Sequence, residues 1–406
     1  MKKVLLFAAV TAITFLYSCK TTVSDDDGVL QITQDDVIEL EGDLDDNFLS
    51  GWDYIILDEN EVEAILPEGT NQVLYDDGLY FVGSRSQGNI KVFDTNGHYM
   101  NNISRIGRAR NEYISLLDWT IDRNRNEVLL TSQDSYEGPV TIKRFDYKGE
   151  YLGQSETDSI RDGNTFSHIA KCLSDGTFLI ENGLTLIPVY DYYYVPQNGP
   201  VRFPLEMREL CLCTSRRAIR KMRREMKSIR SYAMNFIITE GNFNNLSDTT
   251  YLVRMLDNHI YRLTENGSEC IANMAFRPTI TKKDIKNFNP NEGMSPLIPW
   301  EFSDLKDYLY ICYPNRMKYV YDKKTSKVYH LKGDSPIQLP DCVYSSIYGN
   351  DKIACIDPDN IQRNLKEIES DDYDHSYSPE IEAFYRKIKD CGNPVIFIAH
   401  YDKKPQ

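Results

Sequence analysis

The sequence predicts an all-β chain folded as a single six-bladed β-propeller, and three observations predict it. A hairpin pattern recurs, its recurrences are spaced at the length of a propeller blade, and a strand-like run near the C-terminus is placed to close a ring. The hairpins are Ile90–Tyr99, Ile142–Tyr151, Ile260–Gly267 and Lys318–Ser326, each built on an alternating run and a polar turn ending in Gly or Ser. Alternation gives a strand one buried face, while Asp, Asn and Gly supply the turn dihedrals. Before each hairpin comes a polar turn followed by an apolar run. With Leu79, Val128, Phe178, Tyr251, Leu309 and Ile353 as equivalents, the steps are 49, 50, 73, 58 and 44 residues. A four-stranded unit of this length cannot bury both its faces alone, so six of them must stack radially and close.

From the N-terminus, residues 1–18 read as a signal peptide, with a charged Met1-Lys2-Lys3 and an apolar Val4-to-Leu16 run too short to span a bilayer. The sequence Leu16-Tyr17-Ser18-Cys19 resembles the bacterial lipobox. That resemblance implies acylation of Cys19 and attachment to the membrane through lipid alone, each buried CH₂ contributing about 0.8 kcal/mol. Residues 19–49 are acid-rich, with Asp25-Asp26-Asp27, Asp35, Asp36, Asp43, Asp45 and Asp46. Like charges repel, so a flexible acidic tether is expected there. Acid just after a lipidated cysteine also resembles the surface-export signal of Bacteroidetes lipoproteins, which implies an outer-membrane protein displayed at the cell surface.

The propeller is expected over residues 50–401. Trp52 to Leu57 and Pro394 to Tyr401 are strand-like runs left over by the repeat, and the inner strands of the last unit fall near Cys342–Tyr348 and Lys352–Ile356. N- and C-terminal strands in one blade would close the ring, with the polar stretch Asp357–Asp390 as an excursion between them. The longest step contains an insertion near 206–231 with nine basic residues, in which Ile219, Met222, Met226 and Ile229 fall at i, i+3, i+7 and i+10. That spacing predicts a helix with a narrow apolar stripe and cations around it.

Several function classes are disfavoured. The net charge of −15 speaks against nucleic acid, which is bound through clustered Lys and Arg. Eight cysteines beyond Cys19 are too scattered for a disulfide framework, and no Cys or His pair stands at zinc spacing. No His-Glu-x-x-His, Gly-x-Ser-x-Gly or P-loop pattern occurs.

The turns Phe93-Asp94-x-x-Gly97 and Phe145-Asp146-x-x-Gly149, the run Asn258–Leu263 with Phe276-Arg277-Pro278 downstream, and Asn393-Pro394-Val395-Ile396 resemble the six-bladed β-propeller lipoprotein family of Bacteroidetes, an NHL/TolB-like propeller type. The resemblance spans about 350 residues and implies the fold and the address, without a mechanism. Where that family has Gly-x-Gly-Pro-x-Glu-Tyr, this chain has Gly107-Arg108-Ala109-Arg110-Asn111-Glu112-Tyr113, keeping only Gly107, Glu112 and Tyr113.

Candidate ligand-binding residues fall in two basic features. Arg105, Arg108 and Arg110 lie in the loop joining the first two blades, with Tyr113 and Trp119 just beyond. Guanidinium groups and rings there would stack on sugar or peptide groups, and the plainer alternative is loop charge beside a core Trp. Arg217, Arg220 and Arg224 of the insertion would dock an anion or simply face solvent. Tyr190, Tyr192 and Tyr194 share one strand face, suited to a glycan groove or to packing between blades.

The function expected is non-catalytic binding or scaffolding of a glycan, peptide or protein partner at the envelope, without cofactor, metal or nucleic acid. The alternative is a metal-assisted hydrolase or lyase of the lactonase type, with Asp118, His168 and Asn235 converging in the central channel on a calcium ion.

Overall fold

Most strands of the chain bury both faces, which a lone sheet in water cannot do, and the sheets meet this by stacking around an axis. In this computed structural model, residues 1–28, 182–191, 196–239 and 278–300 lie outside what is described, as do breaks of at most seven residues elsewhere. Sheet 1 comprises Gln72–Asp76, Leu79–Ser84, Asn89–Asp94 and Tyr99–Asn102; sheet 2 comprises Leu116–Asp122, Glu127–Ser132, Val140–Asp146 and Tyr151–Thr157. Sheet 3 has three strands, His168–Cys172, Phe178–Glu181 and Tyr192–Val195. Sheet 4 runs Thr250–Val253, His259–Thr264, Gly267–Met274; sheet 5 runs Glu301–Asp304, Tyr308–Tyr313, Met317–Asp322, Val328–Lys332, with Glu240–Asn242 on its inner edge. Sheet 6 takes Val343–Tyr348, Asp351–Ile356 and Val395–His400, then Gly51–Ile56 from the other end of the chain.

The fold is an all-β propeller. The six blades expected are matched by five sheets of four or more strands, because the third repeat has three strands among the described residues and runs into 196–239. The basic insertion near 206–231 lies outside the described residues.

Closure follows the sequence pattern. Val395–His400 pairs antiparallel with Gly51–Ile56, so that Phe397 stands opposite Tyr54. The apolar cores lie between sheets. One joins sheets 1 and 2 through Phe81, Val92, Trp119, Leu130 and Phe145, and another joins sheets 6 and 1 through Tyr80, Val82, Phe93 and Ile396.

The recurrent turn is also a joint. Asp94 Oδ1 accepts from the amides of Asn96 (2.8 Å) and His98 (2.9 Å), and Asp146 Oδ1 from those of Lys148 (3.0 Å) and Glu150 (2.7 Å). Gly97 and Gly149 have φ of +85° and +84°, and each lies on the end of the preceding sheet's outer strand, where a Cβ would collide with the carbonyl oxygen of Ile56 or Asn102. Glycine is needed there twice, for the dihedral and for the approach.

Two expectations are corrected. The acidic tether stops short of Leu30: Leu30–Ile32 adds in parallel to the outer edge of sheet 4, Val37–Glu41 adds in parallel to sheet 5, and a short helix, Leu44–Phe48, follows. Charge counting missed this because several of the acids have partners of their own and Ile32, Leu44 and Phe48 turn inward. Glu39 meets His330 (2.8 Å) and Lys332 (3.2 Å), Asp43 meets Lys318, and Asp45 accepts from the Tyr401 hydroxyl at 2.7 Å. Phe48 is fully buried, its ring 4.9 Å from Tyr308 and 5.9 Å from Tyr329.

The polar excursion Asp357–Asp390 is likewise two helices, Pro358–Ile368 and Pro379–Lys387. Ile361, Leu365 and Ile368 make one apolar stripe, and Phe384 packs 4.9 Å from Tyr54 and 5.5 Å from Trp52. A polar average conceals a stripe at helical spacing.

Candidate functional site

In an antiparallel blade, the turns between strands one and two and between strands three and four fall at one end of the ring, and the connections between blades fall at the other. The features with chemistry divide between these two ends.

At the turn end, a small cleft with room for about one water molecule is lined by Tyr75, Asp76, Ile121, Arg123, Lys171 and Cys172, from the inner strands of sheets 1, 2 and 3 and the turn after sheet 2's first strand. Asp76 is buried and accepts a 2.6 Å hydrogen bond from the Tyr147 hydroxyl across the sheet boundary. Burial holds its carboxyl above the ordinary range, against the opposing effects of Tyr147 and Arg123. Burial, then the Asp76 bond, pushes the Tyr147 phenol up. The Lys171 ammonium is turned to the carbonyls of Asn244 (2.7 Å) and Ser247 and to the Thr250 hydroxyl (3.0 Å), so it bolts sheet 3 to the chain entering sheet 4. Burial pushes the Cys172 thiol well up, and a protonated thiol is neither nucleophile nor metal ligand. Tyr75 packs against Tyr80 and Tyr348, both rings at 4.7 Å. The sequence reading passed over this cleft, although the Asp76-Asp77-Gly78 turn marks its rim.

At the opposite end lies the loop 106–114. Gly107 has no side chain, and the Glu112 carboxylate occupies the space a Cβ would need, where it accepts from the Ala109 amide at 2.9 Å. The Gly107 amide donates to the Tyr113 carbonyl at 3.0 Å. The Lys143 ammonium, buried in sheet 2, donates to the carbonyls of Arg110 (3.3 Å) and Glu112. Gly107 and Glu112 of the family-like motif therefore fold the loop, and Tyr113 plugs it into the core.

This clasp recurs. Lys91 stands in sheet 1 where Lys143 stands in sheet 2, and it donates to the carbonyl of Glu63 in the connection ahead of its own sheet. Burial lowers its pKa against the opposing charge of Glu63. In sheet 5 the partners trade roles, the connection supplying the cation. Arg277 lies 3.5 Å from the Tyr313 ring centre and 5.6 Å from that of Tyr319, which takes the lysine's place in the repeat. The signal was present in the shared Ile-Lys of Ile90-Lys91 and Ile142-Lys143.

The predicted site residues separate accordingly. Arg108 and Arg110 are exposed, the Arg110 guanidinium 5.9 Å from the Tyr151 ring centre. Tyr113 and Trp119 are each 1% exposed and belong to the core between sheets 1 and 2, so their rings are closed to any ligand, and the expected stacking platform is corrected on that point. Asp118 is wholly buried, and His168 begins the adjacent inner strand. Asn235, Arg105, Arg217, Arg220, Arg224, Tyr190 and Cys19 lie outside the described residues, and with Asn235 among them so does the expected meeting of Asp118, His168 and Asn235. No group of three His, Cys, Asp or Glu side chains among the described residues is arranged to hold a metal ion.

The fold and its clasped connections define a propeller protein of repeated hairpin blades. The chain belongs to the family described as a domain of unknown function, DUF4934, whose model matches residues 35–400. No curated protein matches it. Among solved structures it resembles BF0058 of Bacteroides fragilis NCTC 9343, an export candidate, at 14% identity and a TM-score of 0.57, over 90% of this chain and 100% of that one. It also resembles a DUF4221 member from Bacteroides vulgatus ATCC 8482, at 8% identity and a TM-score of 0.46, over 89% and 98% of the two chains.

Proposed function

We propose that the protein is a lipid-anchored lipoprotein of the outer membrane, displayed at the cell surface, whose ring of six blades, sheet 3 among them, binds or scaffolds a partner without catalysing a reaction. The observation that carries the reading is the course of the N-terminal segment. It joins the ring at its outer rim, on the edge of sheet 4. Ten residues, 20–29, separate Cys19 from Leu30 and reach at most about 35 Å when extended, so a lipidated Cys19 would hold that rim close to the bilayer. The export-candidate name of BF0058 agrees with an envelope address. Among the described residues no helix is long and apolar enough to cross a membrane.

The test is metabolic labelling of the full chain with an alkyne fatty acid, followed by membrane fractionation and surface proteolysis of intact cells. The wild type should carry label, sediment with outer membrane and be cut from outside, and Cys19→Ala should lose label and sedimentation together. A Cys19→Ala protein that still sediments with membrane would overturn the anchor, and protection from external protease would overturn surface display.

A further inference from the structure

We propose that the loop 106–114 is a docking surface for an acidic, apolar segment of a partner protein. The inference rests on the binding reading above and names the partner's chemistry. Ile106 and Ile114 are 55% and 46% exposed, in a molecule whose branched side chains mostly lie in the cores between sheets among the described residues. Arg108 and Arg110 stand exposed in the same loop, and Arg110 reaches the Tyr151 ring of sheet 2.

The loop is also held in shape before any partner arrives. Glu112 fastens it from within, Lys143 fastens it from sheet 2, and Tyr113 anchors its end in the core. A surface already ordered loses little entropy on binding. Arginine is among the residues that dominate binding energy at protein interfaces.

Charge selects the partner. The chain as a whole carries −15, but in this loop two exposed arginines stand beside exposed apolar side chains, a combination that favours carboxylates over cations. The molecule already contains one such encounter. Its own segment Val37-Ile38-Glu39-Leu40-Glu41, acid alternating with apolar residue, lies along sheet 5 with Glu39 held by His330 and Lys332.

The experiment is selection of displayed short random peptides on the full-length chain in detergent, followed by anisotropy titration of the enriched sequences. A vesicle arm with phosphatidylglycerol runs in parallel. The expected pool is acidic and apolar. Arg108→Glu with Arg110→Glu should weaken it by about tenfold or more, as loss of two central arginines does, and should itself enrich basic peptides. Ile106→Ser with Ile114→Ser should weaken it without changing the charge preference. Both double variants alter exposed side chains, so their melting should match the wild type. A pool without acidic bias, binding that survives the charge reversal, or binding to anionic vesicles alone would each overturn the proposal. None of those results would touch the fatty-acid label or the sedimentation of the anchored protein, so the two readings fail separately.

Discussion

Replacing Lys143 with Met removes an ammonium and keeps an unbranched side chain in its place. The side chain is 5% exposed, and its ammonium donates to the Arg110 carbonyl at 3.3 Å and to the Glu112 carbonyl. A hydrogen bond from a charged donor contributes about 1.5–3 kcal/mol when the acceptor is left unsatisfied. The Arg110 bond is long and the loop carbonyls turn partly to water, so the loss comes to about 2 kcal/mol for the pair. Unfolding entropy near 2.1 cal/mol/K per residue gives about 0.8 kcal/mol/K for a ring of about 370 residues, and hence a fall in Tm of roughly 2–3 °C. The loop should respond more than the ring. The Gly107 and Glu112 amides, bonded to Tyr113 and Ala109 at 3.0 and 2.9 Å, should exchange with solvent about tenfold faster. Calorimetry reads the first effect and hydrogen exchange by mass spectrometry the second. A variant that keeps both the melting point and the exchange rates of the loop would refute the claim that Lys143 fastens it.

Gly97→Ala and Gly149→Ala should each cost more than Gly78→Ala in thermal melting. All three glycines have positive φ, but nothing lies within 4 Å of a Cβ at Gly78, so only its left-handed strain of about 1 kcal/mol is felt there. Phe48→Ala should lower stability by about 3–5 kcal/mol and, by limited proteolysis, release the segment ahead of Gly51 while sheets 1 and 2 stay protected. His400→Gln tests a pH dependence. Burial disfavours the charged ring, yet Asp351 (2.7 Å) and then Asp53 (3.2 Å) outweigh it and raise its pKa above the ordinary 6.5. Such a group stabilises the fold fully below the unfolded value and loses that contribution as pH climbs through the folded one. The melting gap between wild type and variant should therefore be widest near about pH 5.5 and close in the alkaline range, and a gap independent of pH would sink the assignment.

Legibility in the sequence followed the range of the interactions. The hairpins were legible because Asp94 and Asp146 make their bonds within four residues, and the closure because Trp52–Leu57 and Pro394–Tyr401 were apolar runs without another place. The folded N-terminal segment was not. Its acids are answered by Lys318, His330 and Lys332, nearly three hundred residues away, and a count of charges along the chain cannot register that.

At the candidate site Arg108 and Arg110 face solvent, and of the two readings given there, a stacking platform or loop charge beside a core Trp, the rings of Tyr113 and Trp119 follow the second. The lysine clasps escaped notice because a lysine in a strand reads as a solvent-facing residue until the loop it grips is known.

The chain joins the ring from outside, first at Leu30–Ile32, then at Val37–Glu41, and only then at the closing strand Gly51–Ile56. Tension from an anchor at the N-terminus would therefore peel a three-residue ladder, then a five-residue one, before any load reached the seam at which the ring is shut. Under such a load the acidic segment would act as a mechanical fuse, the pull being spent on short, re-formable pairings while the blades behind them stayed closed.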